Sequence, residues 1–250
     1  MVTDTVRLVP GRADLLALLR SRPRVRGAVQ RVRALAGVRS GEDTVRLLLA
    51  YTLAADAHCI DVGAHEGDVL SEMVRLAPAG RHVAYEPLPA MARALSARFP
   101  DVDVREAALS DSAGRTSFVH VLSNPAYSGL RERDYPGRER LETITVRTER
   151  LDDTLPEGFA PAFIKVDVEG AEMQVFDGAR ETIARHRPTI FFEHGSGAAD
   201  HYGKRSGEIH DLLVGDAGLR IFDEHGRGPY SRDEFEDLFD KPVWNFVAHR

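Results

Sequence analysis

The sequence is poor in several things, and each absence narrows the reading. It has one cysteine, Cys59, in 250 residues. No disulfide can form within the chain, and a cytoplasmic location is expected. No apolar run is long enough to cross a bilayer and no signal-peptide core follows Met1, so no membrane partner is expected. Lysine is scarce, at Lys165, Lys204 and Lys241; positive charge falls to arginine, which reads as compositional habit. The net charge of −6 argues against broad, nonspecific nucleic-acid binding, although a local basic patch remains compatible with it. G-x-G-x-x-G is missing, as is a Tyr-x-x-x-Lys pair, which counts against a nucleotide-sugar or NAD-dependent oxidoreductase.

What remains is the composition of a globular protein, 43% hydrophobic and 29% charged, long enough for one α/β domain with a substantial core. The first fifty residues differ from the rest. Helices are expected over 14–19, 25–35 and 42–53, separated by Pro23 and by the 37–41 region, with Arg20, Arg22, Arg24, Arg26, Arg31 and Arg33 crowded into one stretch. They read as the solvated face of an amphipathic layer, or as a lid or dimer element whose arginines meet an acidic substrate. The division expected is 1–50 as this helical segment and 51–250 as the main domain, with a homodimer as one possible assembly.

From Cys59 onward, strands alternate with helices, which predicts a mostly parallel sheet. Strands are expected at 59–62, 82–86, 104–108, 163–168, 189–193, 219–222 and 243–248. Extended segments at 115–121 and 143–147 flank a polar insertion, 123–142. Helices are expected from Pro89, over 171–185 and over 208–217. The closeness of the last two strands suggests an antiparallel final pair.

The organising stretch is Ile60-Asp61-Val62-Gly63-Ala64-His65-Glu66-Gly67. A buried strand, a glycine turn and a helix carrying Val69, Met73, Val74 and Leu76 open a nucleotide-type site. The acids Asp61 and Glu66 are poor company for a phosphate. They suit S-adenosylmethionine, whose sulfonium and ammonium are positive, while Gly63 and Gly67 admit close backbone approach. Glu86 stands at the end of the second strand, where an acid hydrogen-bonds ribose hydroxyls in such folds, with Pro87 after it. Ser110-Asp111 offers a small polar pair for an adenine amino group, or an ordinary turn. Asp167, Glu169 and Glu172 then gather around the exit of the fourth strand; helix capping would equally account for Glu172, whereas burying Asp167 between Val166 and Val168 requires a purpose.

Together, that first stretch, Tyr85-Glu86-Pro87, Ala108-Leu109-Ser110-Asp111, Ile164-Lys165-Val166-Asp167-Val168-Glu169-Gly170-Ala171-Glu172 and, in the tail, Asn245-Phe246-Val247-Ala248 resemble the FkbM family of S-adenosylmethionine-dependent methyltransferases. The resemblance spans about residues 59–194 and does not reach the first fifty. It implies a class I methyltransferase Rossmann-like fold, a seven-stranded mostly parallel sheet whose last strand is antiparallel. It also implies O-methylation of a hydroxyl on a sugar, glycan or secondary metabolite. By position, Asp61, Gly63 and Glu66, with Ala64, His65 and Gly67 of the same loop, would line the cofactor. Glu86 and Pro87 would meet its ribose, Ser110 and Asp111 would lie near its adenine, and Asp167 would border it.

A hydroxyl is a weak nucleophile, so a base within hydrogen-bond reach is expected: Asp167, Glu169, Glu193 or His194. A variant mechanism places Mg²⁺ among Asp167, Glu169, Glu193 and His194. Asn124, Tyr127 and Ser128 in the insertion, and His201 and Tyr202 after the fifth strand, are the expected acceptor contacts, since loops at that face set specificity. An RNA ribose methyltransferase and a non-catalytic binding module on the same fold are the remaining alternatives; a scaffold has no need of Asp61, Glu86 and Asp167.

Overall fold

The computed structural model describes residues 41–135 and 137–250. Among the described residues, ten strands build two sheets. In chain order they are β1 His58–Val62, β2 His82–Tyr85, β3 Asp103–Arg105, β4 Ala108–Leu109, β5 Gly114–Val121, β6 Leu141–Glu149, β7 Pro161–Val166, β8 Thr189–Glu193, β9 Arg220–Asp223 and β10 Asn245–His249. The main sheet runs β3-β2-β1-β7-β8-β10-β9, and β10 lies antiparallel to both neighbours. The expected antiparallel last strand and seven-stranded sheet are both present. β1, β7 and β8 sit at the centre, where near-continuous apolar runs are required because both faces are covered.

Side chains alternate between those faces. Cys59, Phe163, Phe191 and Val247 share one core with α1 (Gly41–Thr52), α2 (Asp68–Leu76) and α3 (Pro89–Arg98), through Val45, Leu49, Leu70, Met73 and Leu95. Ile60, Ile164, Phe192 and Phe246 face the other core, built on Phe176, Ile183, Leu212 and Phe235. The same pleat decides the site: Asp61, Lys165 and Glu193 continue the first series at the strand ends, and His194 continues the second.

Three expectations need revision, and the extended segments gain a partner. The strand expected at 104–108 is two: Asp103–Arg105 pairs with β2, while Ala108–Leu109 crosses to the small sheet β4-β6-β5. The extended segments around the insertion are a long antiparallel hairpin in that second sheet, Gly114 to Val121 against Thr148 to Leu141. The helix expected over 171–185 breaks at Gly178 into Glu172–Asp177 and Arg180–His186; the Gly178 carbonyl accepts the Asp152 N–H at 3.0 Å, and the residue lies so close to the Ser110 carbonyl that a side chain there would overlap it. The helix at 208–217 is an α-turn, Ser206–His210, followed by a π-helical stretch, Asp211–Asp216. The helices expected at 14–19 and 25–35, with their arginines, lie outside the described residues. Among the described residues no helix is long and apolar enough to cross a membrane.

Candidate active site

The carboxyl ends of β1, β2, β7 and β8 open on a cavity of about 450 Å³, within the range of small-molecule sites. Its first wall is the loop after β1. Gly63 takes φ +75°, and a side chain there would overlap the carbonyl oxygen of Asp167, so the loop runs hard against the exit of β7. Gly63 and Ala64 donate their N–H groups to the Tyr85 carbonyl at 3.0 and 3.1 Å, tying the loop to β2.

Glu86 fixes the second wall. One carboxylate oxygen accepts the His65 N–H and the other the Leu88 N–H, each at 2.9 Å. Burial pushes this carboxyl up from its usual range, and the Leu88 and His65 amides pull it back. Each oxygen keeps a further lone pair for a ligand hydroxyl.

The floor is ionic. Lys165 Nζ donates to the Gly63 carbonyl at 2.6 Å and lies 3.6 Å from Asp61 and 3.3 Å from Asp167. Burial works to lower the Lys165 ammonium, but Asp167 and Asp61 outweigh it and hold it above its ordinary value. Burial likewise pushes Asp61 up, with Lys165 opposing. Lysine in a central strand was named in the sequence only as a rarity. The clue was there, a charge inside Ile164-Lys165-Val166, and its role as the cation of this floor was not read from it.

Asp167 and Glu193 leave adjacent parallel strands side by side, since Val166 pairs with Phe192. Both line the cavity, and Asp167 is among the groups that raise the Glu193 carboxyl, through its charge and as a hydrogen-bonding neighbour. Burial, then Asp167 and Glu172, push the Glu193 carboxyl up to about 8, against Arg133.

Of the residues expected from sequence, Asp61, Gly63, Ala64, His65, Glu66, Glu86, Pro87, Ser128, Asp167, Glu169 and Glu193 line this one cavity. Others stand elsewhere. Gly67 lies behind the loop at φ +80°, beneath Leu95 and Phe99, where it lets α2 start close to α3. Ser110 and Asp111 bond each other, and Ser110 takes the Glu149 carbonyl through its N–H; neither lines the cavity. Hydrophobic wall residues that the sequence reading passed over, Phe118, Leu130 and Leu88, do. They come from the hairpin and the β2 exit, and nothing in a local motif marks them.

His194 points to the opposite face from Glu193. Its Nε2 sits 2.8 Å from the Ser206 hydroxyl, and its ring stacks on Phe235 and meets Phe239 edge-on. It is a buried histidine of the other core. This also removes the Mg²⁺ arrangement: among the described residues no three His, Cys, Asp or Glu side chains converge on a metal position. Glu169 is instead ion-paired to Arg133.

The remaining expected acceptor contacts form a clasp beside the cavity. Arg133 lies over the Tyr127 ring at 5.1 Å, and Arg131 lies over the Tyr202 ring at 5.0 Å while donating to the His201 carbonyl at 2.6 Å. The connection between β5 and β6 is thereby fastened onto the loop after β8. Tyr127, His201 and Tyr202 belong to this fastening, Asn124 precedes the short turn Pro125–Tyr127, and none of the four lines the cavity.

Compared with known proteins, residues 61–225 match the model of the methyltransferase FkbM domain. No curated protein matches the sequence. The fold is similar to that of the methyltransferase FkbM from Methylobacillus flagellatus KT, at 17% identity and a TM-score of 0.51, over 79% of this chain and 44% of that one. This chain therefore spans less than half the length of that relative. It is also similar to the precorrin-6y C5,15-methyltransferase from Geobacter metallireducens GS-15, at 16% identity, TM-score 0.46, 84% of this chain and 88% of that one. An O-methyltransferase from Bacillus cereus, solved with S-adenosylhomocysteine, gives 12% identity, TM-score 0.43, 89% and 88%.

Proposed function

The chain belongs to the FkbM methyltransferase family, and we propose that it transfers the methyl group of S-adenosylmethionine to a hydroxyl oxygen of a sugar, glycan or secondary metabolite. The observation that carries this reading is that Glu86, the Gly63 loop and the Asp167–Glu193 carboxyl pair all border one cavity. A nucleoside site and a proton-accepting site thus open on the same space.

The donor set fits that cofactor. Lys165 is the one lysine or arginine among the described lining residues, and Asp61 and Asp167 already neutralise it, so among these residues a diphosphate finds no free positive partner. The acids Glu66, Asp68 and Glu86 border the cavity and favour a positively charged, phosphate-free ligand. Glu86 would hold the ribose hydroxyls through its remaining lone pairs. Leu88 and Phe118 give an apolar flank for a flat base.

When bound, the sulfonium supplies an activated methyl group, and the protein's part is to place an oxygen in line with it. Orientation of that kind can supply about 7–11 kcal/mol of a barrier. Lys165 keeps the loop and the β7 exit in register through Gly63 and Asp167. The clasp of Arg131 and Arg133 would shape the acceptor side through Glu169, which lines the cavity and is ion-paired to Arg133.

Calorimetric titration with S-adenosylhomocysteine tests the reading, on the wild type and on Glu86→Ala. Micromolar binding that the substitution weakens at least about tenfold, equal to 1.4 kcal/mol, is expected. No binding to the folded wild type would overturn it. Acceptor screening with labelled S-adenosylmethionine, with and without EDTA, then identifies the hydroxyl.

A further inference from the structure

The ends of β7 and β8 carry four acids and a histidine, of which the sequence alone allows Asp167, Glu169, Glu193 and His194 as the base. We propose that Glu193 takes the proton of the acceptor hydroxyl, with Asp167 as its hydrogen-bonded partner. This rests on the methyl-transfer reading above and adds the residue that accepts the proton.

The argument is one of elimination by geometry. Asp167 is ion-paired to Lys165 at 3.3 Å, so it is already engaged by a cation. Glu169 is held by Arg133. Glu172 is buried, accepts the Gly170 N–H at 2.8 Å and does not line the cavity. His194 faces the other core, bound to Ser206. Glu193 lines the cavity, and among the described residues no lysine, arginine or histidine forms an ion pair with it. Its surroundings are Asp167 from the β7 exit, Glu172 from the helix that follows, Arg133 from the β5–β6 connection, and Asn245 paired with it on β10. Two carboxylates and burial outweigh one guanidinium. The carboxyl pushed up to about 8 is matched to its task, because a base works best when its pKa lies near the operating pH.

The step balances. The acceptor O–H bond breaks and its proton passes to a Glu193 carboxylate oxygen. The oxygen's electron pair forms the new O–CH₃ bond, and the S–CH₃ pair stays on sulfur, which becomes a neutral thioether. The site starts with one positive sulfonium and one carboxylate, and ends with a thioether and a carboxylic acid.

A base in reach of the reacting centre must feel the sulfonium charge, which gives a test that needs no acceptor. S-adenosylmethionine and S-adenosylhomocysteine are titrated into the protein by calorimetry, in buffers of different ionisation heat, from about pH 6 to about pH 10. The positive sulfonium lowers the Glu193 pKa and expels a proton; the neutral thioether does not. Up to about half a proton more is expected with S-adenosylmethionine at slightly below pH 8, fading at both ends of the range. Glu193→Gln should abolish the difference while still binding S-adenosylhomocysteine, and Asp167→Asn should move it to lower pH. Equal proton release from the two compounds by the wild type, or a difference that survives Glu193→Gln, overturns the assignment. If Glu193→Gln fails to fold, the wild-type pH profile decides alone. Failure of both compounds to bind the wild type would overturn the cofactor reading itself, a separate and recognisable result.

Discussion

The Glu86 carboxylate accepts the His65 N–H at 2.9 Å across 21 residues of chain, closing the glycine loop onto the end of β2. A single side chain is thus both a brace for the loop and a lining group of the cavity. Glu86→Ala removes both roles. It should lower unfolding stability by about 1–3 kcal/mol, the cost of leaving buried amides unpaired, alongside its loss of S-adenosylhomocysteine affinity. Urea unfolding reads the first and calorimetry the second. Glu86→Gln, which keeps an acceptor oxygen, should recover part of the stability.

Lys165 is the cation of the cavity floor, and removing it strands Asp61. Lys165→Met should destabilise by about 3–5 kcal/mol, as expected when one partner of a buried pair is deleted. The double variant Lys165→Met with Asp61→Asn should be more stable than the single one, because no fully buried carboxylate is left unpaired; Asp167, 42% exposed, keeps water as its partner. Denaturant midpoints at constant slope check both.

The two glycines of the loop differ in what surrounds them. At Gly63 the obstacle is backbone, the Asp167 carbonyl; at Gly67 it is the side chains of Leu95 at 2.6 Å and Phe99 at 2.9 Å. Both take positive φ, which costs an L-residue about 1–2 kcal/mol. Gly63→Ala should therefore be the more damaging in thermal unfolding, and should also lose S-adenosylhomocysteine binding. Gly67→Ala should keep measurable binding.

Glu193 makes stability fall as pH rises. Its folded pKa, about 8, stands above the value in the unfolded chain, so the folded state holds a proton that the unfolded state gives up. The favourable contribution is full below the unfolded pKa and is lost as pH climbs through 8, a loss on the order of a few kcal/mol. Unfolding free energies between mildly acidic and alkaline pH should show the decline in the wild type, and Glu193→Gln should flatten it.

His194 belongs to the packing of the second core. Ser206→Ala should lower stability by about 1–3 kcal/mol through the unpaired imidazole nitrogen and leave S-adenosylhomocysteine affinity unchanged. A loss of affinity at equal folding would return His194 to the site.

The sheet was legible because its strands are buried on both faces. Runs such as Cys59-Ile60, Phe163-Ile164 and Ile190-Phe191-Phe192 announce themselves without knowledge of the fold. The glycine turn and Glu86 were legible for a related reason: each is a local solution to placing backbone or a carboxylate at a strand end. The small second sheet was not, since its long hairpin joins segments separated by a polar insertion, and pairing at that distance leaves no local trace. The need for glycine at 178, where the helix breaks, likewise comes from Ser110, far away in the chain.

The site divides in the same way. The sequence by itself determined which residues carry chemistry and which strand ends bear them, because composition and period decide burial locally. Only the tertiary structure decided which of them meet. The pleat turns Glu193 toward the cavity and its neighbour His194 away from it, and the register of β7 with β8 sets Asp167 beside Glu193. A one-residue slip would exchange those faces, and the register is fixed by the packed cores on both sides of the sheet rather than by any residue in the motif.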